Sequence, residues 1–321
     1  MNRYDDLSAF GPVWVGSGTL GFSGEGYWMH GLVPQPRFAG AALVAKTITV
    51  PRTIGHMDLT ADFSPKHFAP DCIHANLRTG DVLNSVGLSG PGVATFLATG
   101  RWQQISQPFM LSYMATGTKS DAKQLEETEE FVGLLQDALP AFRTTQLGIQ
   151  FNRSCPNVGA DLTHLVETTG EHLSILGQLK LPIVVKLNLL VQPDAAREIA
   201  KHPACSGLCV SNTIPFGEMA DDIPWETLYP DGSPLKNRNR NYGGGGLSGL
   251  RLLPLVSKWV ERYRWYDRKT HINAGGGIMY HWHPRTLRER GATSMSFATV
   301  AMVRPWRVPK IIRAGYEQFS R

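Results

Sequence analysis

The stretch "PIVVKLN" (182–188) is a short apolar run that closes abruptly on Lys186 and Asn188. It is too short for an ordinary helix and rich in β-branched residues, so it reads as a strand. Seven further runs have the same character: "PVWVGS" (12–17), "ALVAKTI" (42–48), "PFMLSYMA" (108–115), "GIQFNRS" (148–154), "GLCVSN" (207–212), "HINAG" (271–275) and "MSFATV" (295–300). Between them lie helical patterns such as 121–139, 161–179 and 248–265, the last with Leu252, Leu253, Leu255, Val256 and Val260 on one broad apolar face. Eight strands, each followed by helix or loop with no linker breaking the series, predict one α/β domain over 1–321, a (β/α)8 TIM barrel. Two segments depart from the pattern. Residues 51–83 and 213–243 are Pro/Gly-rich and aperiodic, and are expected as surface excursions serving as lids or interface elements.

The composition supports a sizeable core: 42% of the 321 residues are hydrophobic and 18% charged. Nothing near the N-terminus reads as a secretory signal, and no run approaches the roughly 18 apolar residues of a membrane span. A soluble, cytoplasmic chain is expected. The four cysteines (Cys72, Cys155, Cys205 and Cys209) are too few for a disulfide scaffold and form no C-x-x-C pair for zinc or an iron–sulfur cluster. Cys205 and Cys209 read as core residues. The net charge of +5 is spread along the chain except at "KNRNRNY" (236–242), and no aromatic-rich RNA-binding motif accompanies that run. Nucleic acid is therefore not the expected partner; a small anionic substrate or a phosphate-bearing cofactor suits the balance equally. "KNRNRNY" reads as a solvated loop. "HWHP" (281–284), with His281 and His283, is an incomplete metal site and reads as a surface loop, so no metal is expected.

In a barrel of this kind the C-terminal ends of the strands carry the active site. Those ends are biased here. Lys46 closes the second run, Asn152 the fourth with Cys155 and Asn157 just beyond, Lys186 and Asn188 the fifth, and Asn212 and Thr213 the sixth; Asn84 lies in the loop "LNSVGLSGPG" (83–92). Any one of these is ordinary loop polarity. Several carboxamides aimed at one volume suit a planar ligand edged with N–H and C=O groups. A lysine ending an apolar strand is costly to leave unpaired and is expected to face an anion or an electron-rich atom. The glycine clusters make a second constellation: "YGGGGLSGL" (242–250) opens the long helix, "NAGGGI" (273–278) follows the seventh strand, and "FATVA" (297–301) ends the eighth. Glycine-rich turns and the loops after strands seven and eight are where barrels bind phosphate.

Taken in order, "GSG" (16–18), "KTIT" (46–49), "NSVGLSGPG" (84–92), "FNRSCPNVG" (151–159), "VVKL" (184–187), "VSNT" (210–213), "GGLSG" (245–249) and "AGGGI" (274–278) resemble the dihydroorotate dehydrogenase family over nearly the whole chain. The resemblance implies oxidation of dihydroorotate to orotate in pyrimidine biosynthesis, with FMN across the barrel mouth. It places the flavin ring near Ser17, Gly18, Lys46, Thr47 and Asn152, Lys186 beside the ring's N1/O2 edge, and the phosphate near Gly249, Gly276, Gly277, Ala298 and Thr299. It assigns Asn84, Asn152, Asn157 and Asn212 to the pyrimidine, with Thr213 beside them and Lys46 near the substrate carboxylate. Cys155 becomes the base that removes the C5 proton while the C6 hydride passes to flavin N5. A cysteine there resembles class 1, the soluble enzymes, and not the membrane-associated class with serine and an N-terminal extension. The class leaves two acceptors, fumarate or NAD through an iron–sulfur flavoprotein partner, and "KTIT" looks more like the partner-dependent branch. A homodimer is likewise implied by resemblance alone.

The match has departures. Arg153 stands where the family usually has an apolar residue, and strand alternation turns it opposite to Asn152 and Ser154. Ala298 replaces a common glycine, which leaves a backbone N–H contact intact. Segment 51–83 keeps "PR" (51–52) and then diverges, which bears on substrate, acceptor and assembly. Two other functions fit parts of the pattern: a related flavoenzyme acting on another dihydropyrimidine or a specialised metabolite, and a non-catalytic flavin-binding or assembly subunit. Cys155 together with four asparagines argues against the second, since scaffolding needs none of them.

Overall fold

The computed structural model describes residues 6–27, 30, 38–117, 120–153, 162–210 and 212–320. Its strands, in chain order, are β1 (Val13–Val15), β2 (Ala42–Val44), β3 (Ile73–Asn76), β4 (Asp81–Asn84), β5 (Phe109–Tyr113), β6 (Leu147–Asn152), β7 (Ile183–Leu187), β8 (Gly207–Val210), β9 (Ile214–Pro215), β10 (Gly246–Gly249), β11 (Ile272–Gly275) and β12 (Ser294–Phe297). Strands β1, β2, β5, β6, β7, β8, β11 and β12 pair in parallel in that order and close into a barrel. Each of the eight runs read as strands supplies one of them.

Period-two alternation divides each barrel strand between two cores. Outward residues such as Phe109, Leu111, Ile149, Phe151, Ile183 and Val185 join the large shell between barrel and helices. Inward, Trp14, Val44, Met110, Val184 and Cys209 fill the barrel and are joined by Leu7 and Phe10. Gly148 fits this plug because a Cβ there would lie 2.8 Å from the Phe10 ring. Toward the C-terminal ends the inward positions turn polar: Met110 gives way to Ser112 on β5, Gly148 to Gln150 and Asn152 on β6, and Val184 to Lys186 on β7. The barrel interior is thus apolar below and polar toward its mouth.

The helices follow the expected spans closely: Asp121–Ala138, Leu162–Leu176 and Leu252–Tyr266. In the last, Leu252, Leu253, Val256 and Val260 are buried as the apolar face requires. Two expectations are corrected. The glycine cluster does not open that helix, because Gly246–Gly249 is strand β10 and the helix begins at Leu252. The excursions lie largely at the surface, as expected, but they are not wholly aperiodic. Strands β3 and β4 from or beside the first, and β9 with β10 around the second, form an antiparallel sheet in the order β3-β4-β10-β9. Strands of two to four residues carry too little alternation to be read, and their pairing joins segments more than 150 residues apart.

Candidate active site

Strand β2 stops short of the expected residue 48, and its early end shapes the site. Ala45 N–H still reaches Met110 O and Ile48 N–H reaches Ser112 O, but Lys46 N–H turns away to Gly21 O. This break in the ladder presents Lys46 and Thr47. The Thr47 hydroxyl lies 3.1 Å from Ser17 Oγ and 2.9 Å from Ser112 Oγ, and accepts from Asn152 Nδ2 at 3.3 Å. Ser17 in turn donates to Ala45 O at 2.8 Å. Ser17, Thr47 and Asn152, from three separate strand ends, are thus one hydrogen-bonded cluster. Lys46 Nζ donates to Ser89 O at 2.6 Å and sits 5.1 Å from the centre of the Phe22 ring. Burial pulls its pKa down to about 8.

A cavity of about 230 Å³ opens at the mouth. Of the residues singled out from the sequence, it is lined by Ser17, Asn84, Lys186, Asn212, Thr213, Gly276, Gly277, Ala298 and Thr299. Gly18, Lys46, Thr47, Asn152 and Gly249 are not among its lining residues, although Thr47 and Asn152 stand behind Ser17 through the cluster above. Cys155 and Asn157 lie outside the described residues. The antiparallel sheet delivers two of the lining groups: Asn84 ends β4 and pairs with Gly246, while Thr213 precedes β9. Asn188 fixes the second by donating from Nδ2 to Thr213 O at 2.8 Å.

Other lining residues were not singled out in the sequence for the site. Gln150, Ser248 and Ser296 all face the cavity, as do Leu252, read from the sequence as part of a helix's apolar face, and Cys209, which the sequence reading placed in the core. Cys209 is buried, but it is also a neighbour of Lys186 across the β7–β8 register. Burial lifts its thiol to about 11, with Lys186 and a Ser296 hydrogen bond acting the other way. The same burial lowers the Lys186 pKa. Alternation from Asn152 was the available signal for Gln150, two residues earlier on the same face.

The loop "HWHP" is also corrected. His281 is exposed, but His283 is buried at the start of helix His283–Glu289. Its Nδ1 accepts from Met279 N–H at 3.1 Å and lies 3.2 Å from Gly277 O, so it pins the glycine loop of the cavity. Gly277 itself has φ +81°, and a Cβ there would stand 2.3 Å from Leu253 N. Among the described residues no group of three His, Cys, Asp or Glu side chains is placed to hold a metal ion. In "KNRNRNY", Arg238 is more than a solvated charge: its Nη1 donates to Asp71 O and Ile73 O, both at 3.0 Å. Arg153 points outward, as alternation required, and its guanidinium donates to Thr168, Thr169 and Gln124 on the flanking helices.

The donor set defines what fits. Carboxamides from Asn84, Gln150 and Asn212, one half-buried ammonium from Lys186, and the glycine loop beside Ala298 and Thr299 match a planar ring with polar edges joined to an anionic group. Gln150 Oε1 is buried with no hydrogen-bond partner among the described residues, an acceptor that a bound ring can satisfy. The residues present therefore fit a flavin mononucleotide.

A closed (β/α)8 barrel with a polar cavity at the C-terminal ends of its strands belongs to the barrel enzymes. No family model matches the chain. Individual proteins do. The catalytic subunit of dihydroorotate dehydrogenase B (NAD(+)) from Caldicellulosiruptor saccharolyticus is 30% identical over 250 residues, covering 75% of this chain and 73% of that protein. Its counterpart from Caldicellulosiruptor bescii is 28% identical across 96% of this chain and 89% of its own length. A putative dihydroorotate dehydrogenase A (fumarate) from Aquifex aeolicus is 25% identical across 97% and 90%. The ligand-free dihydroorotate dehydrogenase structure from Eimeria tenella shares the fold, with a TM-score of 0.63 at 18% identity over 96% of this chain and 83% of that one. The chain belongs to the dihydroorotate dehydrogenase family, and it is an oxidoreductase of that family.

Proposed function

We propose that the chain oxidises dihydroorotate to orotate with FMN at the barrel mouth and Cys155 as base. The observation that carries this reading is the meeting in one cavity of Ser17, Asn84, Lys186, Asn212 and Thr213 with the 276–277 and 298–299 loops. When bound, FMN supplies the hydride acceptor at its N5. Backbone N–H groups of Gly276, Gly277, Ala298 and Thr299, with Gly249 nearby, hold the phosphate. Ser17, Gly18, Thr47 and Asn152 seat the ring, and Lys186 supplies positive charge where negative charge accumulates. Asn84, Asn152, Asn157 and Asn212, with Thr213, orient the dihydropyrimidine, and Lys46 pairs with its carboxylate. Cys155, as thiolate, takes the C5 proton, the C5–H electron pair becomes the C5=C6 π bond, and the C6 hydrogen leaves with its own pair as hydride. Proton removal by a positioned base contributes roughly 10²–10⁴ in rate.

The single closed barrel supports 1–321 as one flavin-binding unit. We assign the chain to the cytoplasm, as a homodimer whose electrons leave through an iron–sulfur flavoprotein subunit. Support for the partner is the "KTIT" run and the two relatives named as catalytic subunits. Among the described residues no helix is long and apolar enough to cross a membrane.

An anaerobic titration with dihydroorotate tests the chemistry. Bleaching of the oxidised-flavin band in the parent, lost in Cys155→Ala with FMN still bound, is the expected result. A yellow protein that dihydroorotate leaves unbleached would reject the substrate, and a protein that takes up no FMN would reject the flavin.

A further inference from the structure

Gln150 is an anomaly in an otherwise well-satisfied barrel. It is only 2% exposed, it lines the mouth cavity, and its Oε1 has no hydrogen-bond partner among the described residues. Buried polar atoms are paired in the great majority of cases, and a hydrocarbon side chain would fill this position without the penalty. On β6, Gln150 pairs with Ser112 of β5 and Val184 of β7, while Asn152 on the same face pairs with Lys186. The carboxamide and the Lys186 ammonium thus occupy adjoining inward positions on neighbouring strands, one residue pair apart.

We propose that Gln150 is a positioning residue for the flavin, accepting a hydrogen bond from its N3–H. The proposal rests on the FMN reading of the cavity. Its chemical basis is narrow: the oxidised isoalloxazine ring carries one N–H group, at N3. A buried acceptor oxygen that meets the ring as its partner can only be satisfied there. The N3–H lies on the same pyrimidine portion as the N1/O2 edge assigned to Lys186, which agrees with the adjacent placement of the two side chains. A neutral acceptor suits the position. A carboxylate beside Lys186 would pair with the ammonium and cancel charge that the reduced ring needs. Gln150 therefore fixes the ring's orientation while leaving Lys186 electrostatically available.

The test uses two probes on flavin-free protein, FMN and N3-methyl-FMN, with binding read by quenching of flavin fluorescence. The parent is expected to bind N3-methyl-FMN at least about tenfold more weakly than FMN, the scale of one buried hydrogen bond. In Gln150→Ala, which removes the acceptor and leaves room for the methyl group, that ratio is expected to fall to near one. Gln150→Met, which keeps the length without the amide, is expected to lose most of the FMN preference while remaining folded. A merely structural glutamine would weaken both probes equally and preserve the ratio, which would overturn the proposal while FMN binding stood. Failure of the parent to bind either probe would instead remove the flavin reading on which it rests.

Discussion

Lys46 shows how a single buried charge sets a working range. Its ammonium is held by one backbone carbonyl, Ser89 O, and by the face of Phe22, with burial drawing the pKa down to about 8. In free protein it is cationic below that pH and neutral above it. A carboxylate substrate prefers the cation. Because kcat/KM reports groups in the free enzyme, we expect the Lys46 cation to contribute a limb that falls as pH rises through about 8, opposite in sense to the rising limb from ionisation of the Cys155 base. Lys46→Gln removes the charge at every pH, and is expected to lower kcat/KM about 10–100-fold at pH 7 and to abolish the alkaline limb. A Lys46→Gln profile that still declines above pH 8 would assign the limb to another group. Lys186 shares the burial but lies beside a thiol, so its environment is distinct from that of Lys46.

At the scale of elements, the short antiparallel sheet matters more than its length suggests. Strand β10 carries Gly246, where a Cβ would stand 2.2 Å from Thr213 Oγ1. The strand thus runs tightly against a cavity residue that Asn188 also tethers. Gly246→Ala is expected to push Thr213 from its place and raise the KM for dihydroorotate about tenfold or more, a displacement effect of the kind that misplaced positioning groups produce. FMN affinity should change little, since the loops at 276–277 and 298–299 proposed for the phosphate lie outside this sheet; an equal loss of both would mean that the sheet supports the whole cavity. This sheet was the part of the architecture that the sequence did not reveal. The barrel strands were legible because apolar runs such as "PIVVKLN" end on polar residues, and the long helices because their apolar faces repeat. Strands β3, β4, β9 and β10 are too short to show a period, and β10 looked like a glycine turn. The cavity was legible where a polar side chain ended a strand, as at Lys186 and Asn212. It was missed where one sat within an apolar run, as Gln150 and Cys209 do, because composition alone makes such residues look like core.

For the molecule as a whole, acid stability should depend on the seam between barrel and helix shell. His172, on helix Leu162–Leu176, is 1% exposed, packs 5.2 Å from the Phe151 ring, and is hydrogen-bonded through Nδ1 to Thr128 Oγ1 at 2.8 Å. Thr128 in turn meets the Tyr113 hydroxyl at 3.0 Å, so strand β5 and two helices share one buried network. Burial, reinforced by the Arg153 guanidinium, lowers the His172 pKa from 6.5 to about 4. The unfolded chain therefore binds a proton on this residue between pH 6.5 and 4 while the folded chain does not. The stability this confers is fully present above pH 6.5 and is lost progressively as pH falls to about 4, a contribution of about 3 kcal/mol at most from this one group. It also explains a tolerance in the sequence: Arg153 replaces an apolar residue in the motif, and its charge is absorbed by Thr168, Thr169 and Gln124 at the same seam. Urea unfolding followed at pH 7.5, 6.0 and 4.5 should show stability falling steeply over the lower interval. His172→Gln, which keeps a hydrogen-bonding group toward Thr128 and removes the titration, should be less stable at pH 7.5 yet lose distinctly less between pH 6.0 and 4.5. If the variant and parent curves stay parallel across that interval, His172 is not the acid-sensitive group, and His271, which stacks on Trp14 and whose pKa burial also brings to about 4, becomes the one to replace.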